Sequence, residues 1–257
     1  MMRLLVPFFL LGSIALTACG GGGSNSTGKS LLSGNWQFAL TNPLTGAVKL
    51  ESGFLLQSGS ALNGTVLLTG GTVCAGIGSA QGQLQGSNVS IAVSQVGQTI
   101  TLTGTTQGSG SQMSGNYSIL ASPCGTTQVG TWTANQVAPL TGSFQATFTQ
   151  GENATPVIIH FTGTIAQGAN NGGSTATLTG TMTSTDSPCF TSASISGQIS
   201  GTAVVFNLAT SEGVTLGQFI GTATTDAKSI TGTYDLFPQS ANACTNYGTA
   251  TVSVQPS

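Results

Sequence analysis

From Leu32 onward the sequence runs through one pattern twice, and this duplication limits the architecture more than any single motif. Leu32-Ser33-Gly34-Asn35-Trp36-Gln37 aligns with Leu140-Thr141-Gly142-Ser143-Phe144-Gln145. Met113-Ser114-Gly115-Asn116-Tyr117 aligns with Ile230-Thr231-Gly232-Thr233-Tyr234, and Cys74 and Cys124 align with Cys189 and Cys244. A period of about 110 residues is the size of a domain, not of a solenoid unit. Gln136-Val137-Ala138-Pro139 is the natural seam. The chain divides into repeat A (32–135), a linker (136–139) and repeat B (140–257).

Within each repeat apolar residues alternate. Val89, Ile91 and Val93 share one face, as do Val157, Ile159 and Phe161, while Leu178 and Met182 flank an inward Gly180. Period two means half-buried strands, and threonine at the intervening positions suits a pleated surface. Asn63-Gly64, Gly86-Ser87-Asn88 and Gly97 read as turns. No segment carries a helical stripe of ten residues. The fold predicted is all-β: two tandem antiparallel up-and-down meanders of about eight strands, each closing into a small barrel, with β-sandwiches as the alternative. Closure suits a chain with few charges to guard an open edge. Gly34-Asn35-Trp36 resembles the G-x-W opening of avidin-like and lipocalin-like barrels, a resemblance that implies a tryptophan at the closed end. Repeat B departs from it, with Phe144 in place of the tryptophan. An immunoglobulin-type sandwich expects a tryptophan between its cysteines and a tyrosine two residues before the second. Trp36 precedes Cys74 and Tyr117 stands seven before Cys124, so neither marker is present.

The first residues read as an address. Arg3 precedes an apolar stretch from Leu4 to Leu16, too short to span a bilayer as a helix. Leu16-Thr17-Ala18-Cys19 resembles the lipobox of bacterial lipoproteins. The resemblance implies a signal peptide over 1–18, lipidation of Cys19 with palmitate-type chains, and a tether over 19–31 rich in Gly and Ser. It implies a chain exported and anchored to a membrane by lipid. With Gly20 rather than aspartate after the cysteine, that membrane is the outer one in a Gram-negative host. Gly23, Gly28, Lys29 and Ser30 match a phosphate-loop pattern, but no strand precedes them and no helix follows, so no nucleotide is expected.

Only 4% of residues are charged, against roughly 25% in ordinary soluble domains. Four Lys and Arg cannot neutralise a nucleic-acid backbone, so no nucleic-acid partner is expected. So few titrating groups predict a melting temperature nearly flat from about pH 4 to 8. Exported cysteines predict disulfides Cys74–Cys124 and Cys189–Cys244, each closing a loop within its own repeat and contributing up to roughly 4 kcal/mol. No C-x-x-C pair exists and His160 is the sole histidine, so neither metal nor cofactor is expected.

The chemical inventory is sparse. A Ser-His-Asp triad would have to be built around His160, which reads as turned away from the apolar face. Glu51, with Lys49 two residues before it, reads as a solvated pair. Glu152, Asp186, Glu212 and Asp226 read as turn residues, and Asp235 lies on a strand. Trp36, Tyr117, Trp132, Phe144 and Tyr234 are the candidate ligand contacts, as a stacking wall for a sugar or an apolar molecule. The expectation is a lipid-anchored cell-envelope protein that is not an enzyme, acting as a binding or structural module for an envelope partner or a glycan. A carrier of a small apolar ligand inside a calycin-like barrel is the alternative, and a hydrolase with a site in repeat B the third reading.

Overall fold

The computed structural model describes residues 32–257 except 70–74, 121–122, 124–125, 152–156, 171 and 238–245, and leaves aside the side chains of 48, 50 and 246. Repeat A contributes β1 (Gly34–Thr41), β2 (Val48–Ser58), β3 (Ala61–Leu68), β4 (Gly76–Gln85), β5 (Asn88–Gln95), β6 (Gln98–Gln107), β7 (Gln112–Ile119) and β8 (Gln128–Val137). Repeat B contributes β9 (Gly142–Gln150), β10 (Ile158–Gln167), β11 (Ala176–Thr183), β12 (Ser192–Ser200), β13 (Ala203–Ala209), β14 (Thr215–Ala223), β15 (Ser229–Leu236) and β16 (Asn246–Pro256). Each set of eight pairs in sequence order, antiparallel throughout, and closes on itself, β1 on β8 and β9 on β16. Two tandem up-and-down barrels are therefore the architecture, as the alternation and the duplication require.

Alternation sets the interior. Trp36, Phe38 and Leu40 of β1 are buried in barrel A, as are Phe144, Ala146 and Phe148 of β9 in barrel B. Glycines recur at inward positions and are covered by large neighbours. Trp36 stands opposite Gly53, and Phe144 stands opposite the equivalent Gly163. Gly104 pairs with Gly115, and Gly221 with Gly232. Trp132 lies opposite Gly115, and its indole N–H donates to the Thr103 carbonyl at 3.1 Å across that bare stretch of backbone. In barrel B the ring of Phe219 takes the corresponding space over Gly221 and Gly232. The glycines thus seat aromatic rings and let the sheet coil tightly enough to close.

Two local readings change. Asn63-Gly64 lies within β3, and the turn falls at Gly59 instead. Gly64 faces inward against the β2 backbone, where a Cβ would stand 2.1 Å from the Phe54 carbonyl oxygen. It is a close-approach glycine, not a turn glycine. β8 also runs on through Gln136 and Val137, which pair with Trp36 and Asn35 and so extend the barrel into the segment read as linker.

The barrels are docked. Asn35, on the outer face of β1, donates through Nδ2 to the Gly201 carbonyl at 2.8 Å and accepts the Gly201 N–H through Oδ1 at 2.7 Å. Gln37 Oε1 accepts both the N–H and the hydroxyl of Thr202 at 3.0 Å. Ser200 donates its hydroxyl to the Ser174 carbonyl at 2.7 Å, so the 2.8 Å bond between Ser52 and Ser200 must have Ser52 as donor. Gly201 has φ +55°, and a Cβ there would meet Gln37 Oε1 at 2.3 Å, so the turn needs glycine for conformation and for clearance. Among these polar groups sits Phe54. It belongs to barrel A by sequence yet packs, 5% exposed, into the apolar cluster of barrel B with Leu140 and Phe144. One barrel closes the end of the other.

Candidate functional site

All five candidate ligand contacts are buried: Trp36, Tyr117, Trp132, Phe144 and Tyr234 are each exposed by 5% or less. They pack against core neighbours. Trp36 donates its indole N–H to the Leu32 carbonyl at 2.9 Å. Trp132 lies 6.3 Å from Phe38 between ring centroids, and Tyr234 stacks on Phe148 at 4.4 Å. Burial raises the phenol pKa of Tyr117, and that of Tyr234 to about 12. The void that Phe144, Phe148, Met182 and Phe206 line in barrel B holds about 10 Å³. The void beside Phe38 and Leu102 in barrel A is also about 10 Å³. A small-molecule site needs about 300–1,000 Å³. These two voids are room for about one water each.

The barrel A void contains the first surprise. Glu51 lines it and is 3% exposed. The solvated pair with Lys49 is therefore corrected: Glu51 shares its strand face with the buried Leu55, and period two carries it inside. Its Oε2 accepts the Thr69 N–H at 2.6 Å. Loss of hydration raises the carboxyl pKa from 4.5 to about 7, against the lowering effects of the Thr69 bond and of Lys49. The expectation of pH-independent stability changes accordingly. The folded protein holds this proton more tightly than the unfolded chain does, so it binds more protons than the unfolded chain between pH 4.5 and 7. Stability is then full below pH 4.5, falls as pH rises to 7 and levels off above, with a total loss of up to about 3 kcal/mol.

A second cluster lies on the outside of barrel B. His160 Nδ1 meets Asp186 Oδ2 at 2.8 Å, and the His160 N–H donates to both carboxylate oxygens at 3.1 and 3.2 Å. Ser184 donates its hydroxyl to Asp186 Oδ1 at 2.7 Å. Asp186 thus stands in for a strand carbonyl where β11 has ended. The Ser184 bond, then the His160 bond, hold its pKa at about 2. The residue types are those of a triad, but the order is wrong for nucleophilic catalysis. The serine is bound to the aspartate, whereas a nucleophile must give its proton to the imidazole. The side chains of His160 and Asp186 are 68% and 42% exposed. Asp186, read as a turn residue, is the partner of His160, which only the fold could show. Asp226 does occupy a turn and accepts the Thr224 hydroxyl at 2.6 Å.

The third feature is a groove of about 460 Å³ on the flank of barrel A. Thr101 and Thr103 of β6, Asn116 and Ser118 of β7, and Val129 and Thr131 of β8 line it, with Pro43 and Tyr117 at its edges. Among the described residues no charged side chain lines it. Tyr117 borders it from within the barrel: its ring packs over its cross-strand partner Gly130, where a Cβ would stand 2.6 Å from that ring. Of the candidate contacts, Tyr117 alone borders this groove. Among the described residues no group of three His, Cys, Asp or Glu is placed to hold a metal ion. Cys189 is disulfide-bonded. Its predicted partner Cys244, the Cys74–Cys124 pair, Glu152 and Cys19 lie outside the described residues.

No protein-family model matches the sequence, and no curated protein matches it. One solved structure that does match is the crystal structure of kievitone hydratase from Nectria haematococca. It is 8% identical, with a TM-score of 0.24, and the match covers 87% of this chain and 90% of that one. That neighbour is an enzyme, and on this finding the expectation of a chain that is not an enzyme is withdrawn. A TM-score of 0.24 carries no argument about a reaction or its residues.

Proposed function

We propose that this chain is an exported, lipid-anchored cell-envelope protein whose docked barrels form a rigid binding or structural module. The observation that carries the reading is Leu16-Thr17-Ala18-Cys19, followed by a Gly/Ser-rich stretch that ends just before the first barrel residue, Leu32. The small voids among the core aromatics favour action through the outer surface over transport of a ligand inside a barrel. The flank groove favours an uncharged partner such as a glycan, whose rings have apolar faces and hydroxyl edges, because Pro43 and Val129 line it together with threonine, serine and asparagine side chains and no charged side chain among the described residues does.

The test is Cys19→Ala in a Gram-negative host fed labelled palmitate. The parent chain should take up label and sediment with outer membrane, while the variant should be unlabelled and released by osmotic shock. An unlabelled parent chain in the soluble fraction, or a variant that stays membrane-bound, contradicts the proposal.

A further inference from the structure

The Glu51 carbonyl holds the docking side chain of Gln37 through its Nε2 at 2.9 Å, but the Glu51 carboxyl faces the interior of barrel A, an unusual setting in a chain so poor in charge. It points into barrel A from β2, close to the end from which the β1–β2 and β3–β4 connections leave. The side chains around it are Phe38 and Leu40 of β1, Val66 and Leu68 of β3, Val93 of β5 and Leu102 of β6. None of these titrates. Lys49, two residues earlier on the same strand, is exposed and is the charge that acts on it among the described residues. Among the described residues Tyr117 is the other titratable side chain buried in this core. The Glu51 carboxyl accepts a hydrogen bond from the Thr69 N–H, the first residue after β3. One carboxyl therefore joins the apolar interior to the point where the β3–β4 connection leaves the barrel.

We propose that Glu51 is a proton-operated latch on this end of barrel A. Protonated, the carboxyl stays among its apolar neighbours and holds the start of the β3–β4 connection through Thr69. Ionised, it gains hydration only by reaching water, so the arrangement in which β2 and β3 part at this end becomes favoured. The adjacent void of about 10 Å³ admits roughly one water, too few to hydrate a carboxylate in place. A shift in carboxyl pKa from 4.5 in water to about 7 in the closed barrel sets the limit. The open population should rise by up to about 300-fold from well below pH 4.5 to pH 8, tenfold for each unit of difference. The ligand of the latch is the proton itself.

Amide hydrogen exchange on the whole chain tests this. Protection factors, which remove the intrinsic pH dependence of exchange, should fall on raising pH from 5 to 8 at Thr69, Leu67 and Ser52. At every pH they should also lie below those at Ser194 and Thr249 in barrel B, which exchange with opening of the whole docked body. In Glu51→Gln they should be pH-independent at all of these positions. In the unmodified chain the Glu51 carboxyl carbon should titrate near pH 7 by NMR, a reading that does not need the variant to fold. A midpoint near 4.5, protection in barrel A that does not change with pH, or an equal fall in Glu51→Gln overturns the proposal.

Discussion

Phe54→Ala should destabilise the protein by about 3–5 kcal/mol, and the loss should be felt in barrel B although the residue belongs to barrel A. Phe54 points outward from β2, and its ring is buried in the core cluster that Leu140, Phe144 and their neighbours form in the other barrel. Truncation leaves a ring-sized hole where that barrel is closed, beside polar groups that cannot move in to fill it. Asn35, Gln37 and Ser52 are already committed to Gly201, Thr202 and Ser200. Chemical denaturation should show a lower midpoint, and hydrogen exchange should show protection lost first in β9–β16. A change below about 1 kcal/mol would mean that Phe54 does not close the barrel.

Gly115→Ala should be nearly as damaging for the opposite reason. A Cβ at Gly115 would stand 1.9 Å from the Thr103 carbonyl oxygen and 2.5 Å from the Gly104 Cα. Both obstacles are backbone, so the neighbouring strand has to move, and the Trp132 indole that bonds to Thr103 has to move with it. A cost of about 3 kcal/mol is expected, at the upper end for overpacking by one methyl group. Gly59→Ala is the control. Gly59 has φ +59°, and a Cβ added there would meet nothing within 4 Å, so its cost should be about 1 kcal/mol from backbone conformation alone. Thermal melts of the two variants should rank in that order. Equal melting temperatures would show that the inward glycines do not hold the barrel closed.

Much of this fold is legible in the sequence because period two and a duplicated pattern leave few alternatives. Ile159, Phe161, Leu178 and Met182 lie inside as their alternation requires. Gly86 and Gly97 sit in turns, both with positive φ. Asn63-Gly64 misleads because Asn-Gly is a strong turn signal. Here the glycine serves a close approach between strands, and no one-dimensional pattern separates the two uses. Glu51 is legible in principle: it is two residues from Gly53 and four from Leu55, on one face. Pairing it with Lys49 hides that face, since a charge beside an opposite charge suggests water. Phe54 could not be placed without the fold, because alternation says which face a side chain takes and not what docks on that face. The His160–Asp186 bond joins residues 26 apart and likewise depends on strand register.

The two barrels form one docked body, and the distribution of tryptophans makes that directly measurable. Trp36 and Trp132 are the only tryptophans, and both lie in barrel A. Indole fluorescence therefore reports barrel A, while far-ultraviolet circular dichroism reports the strands of both barrels. Equilibrium urea unfolding followed by both signals should give coincident transitions with one midpoint, as expected when one barrel closes the other. A dichroism change that separates into two steps, with fluorescence following only one of them, would contradict the account.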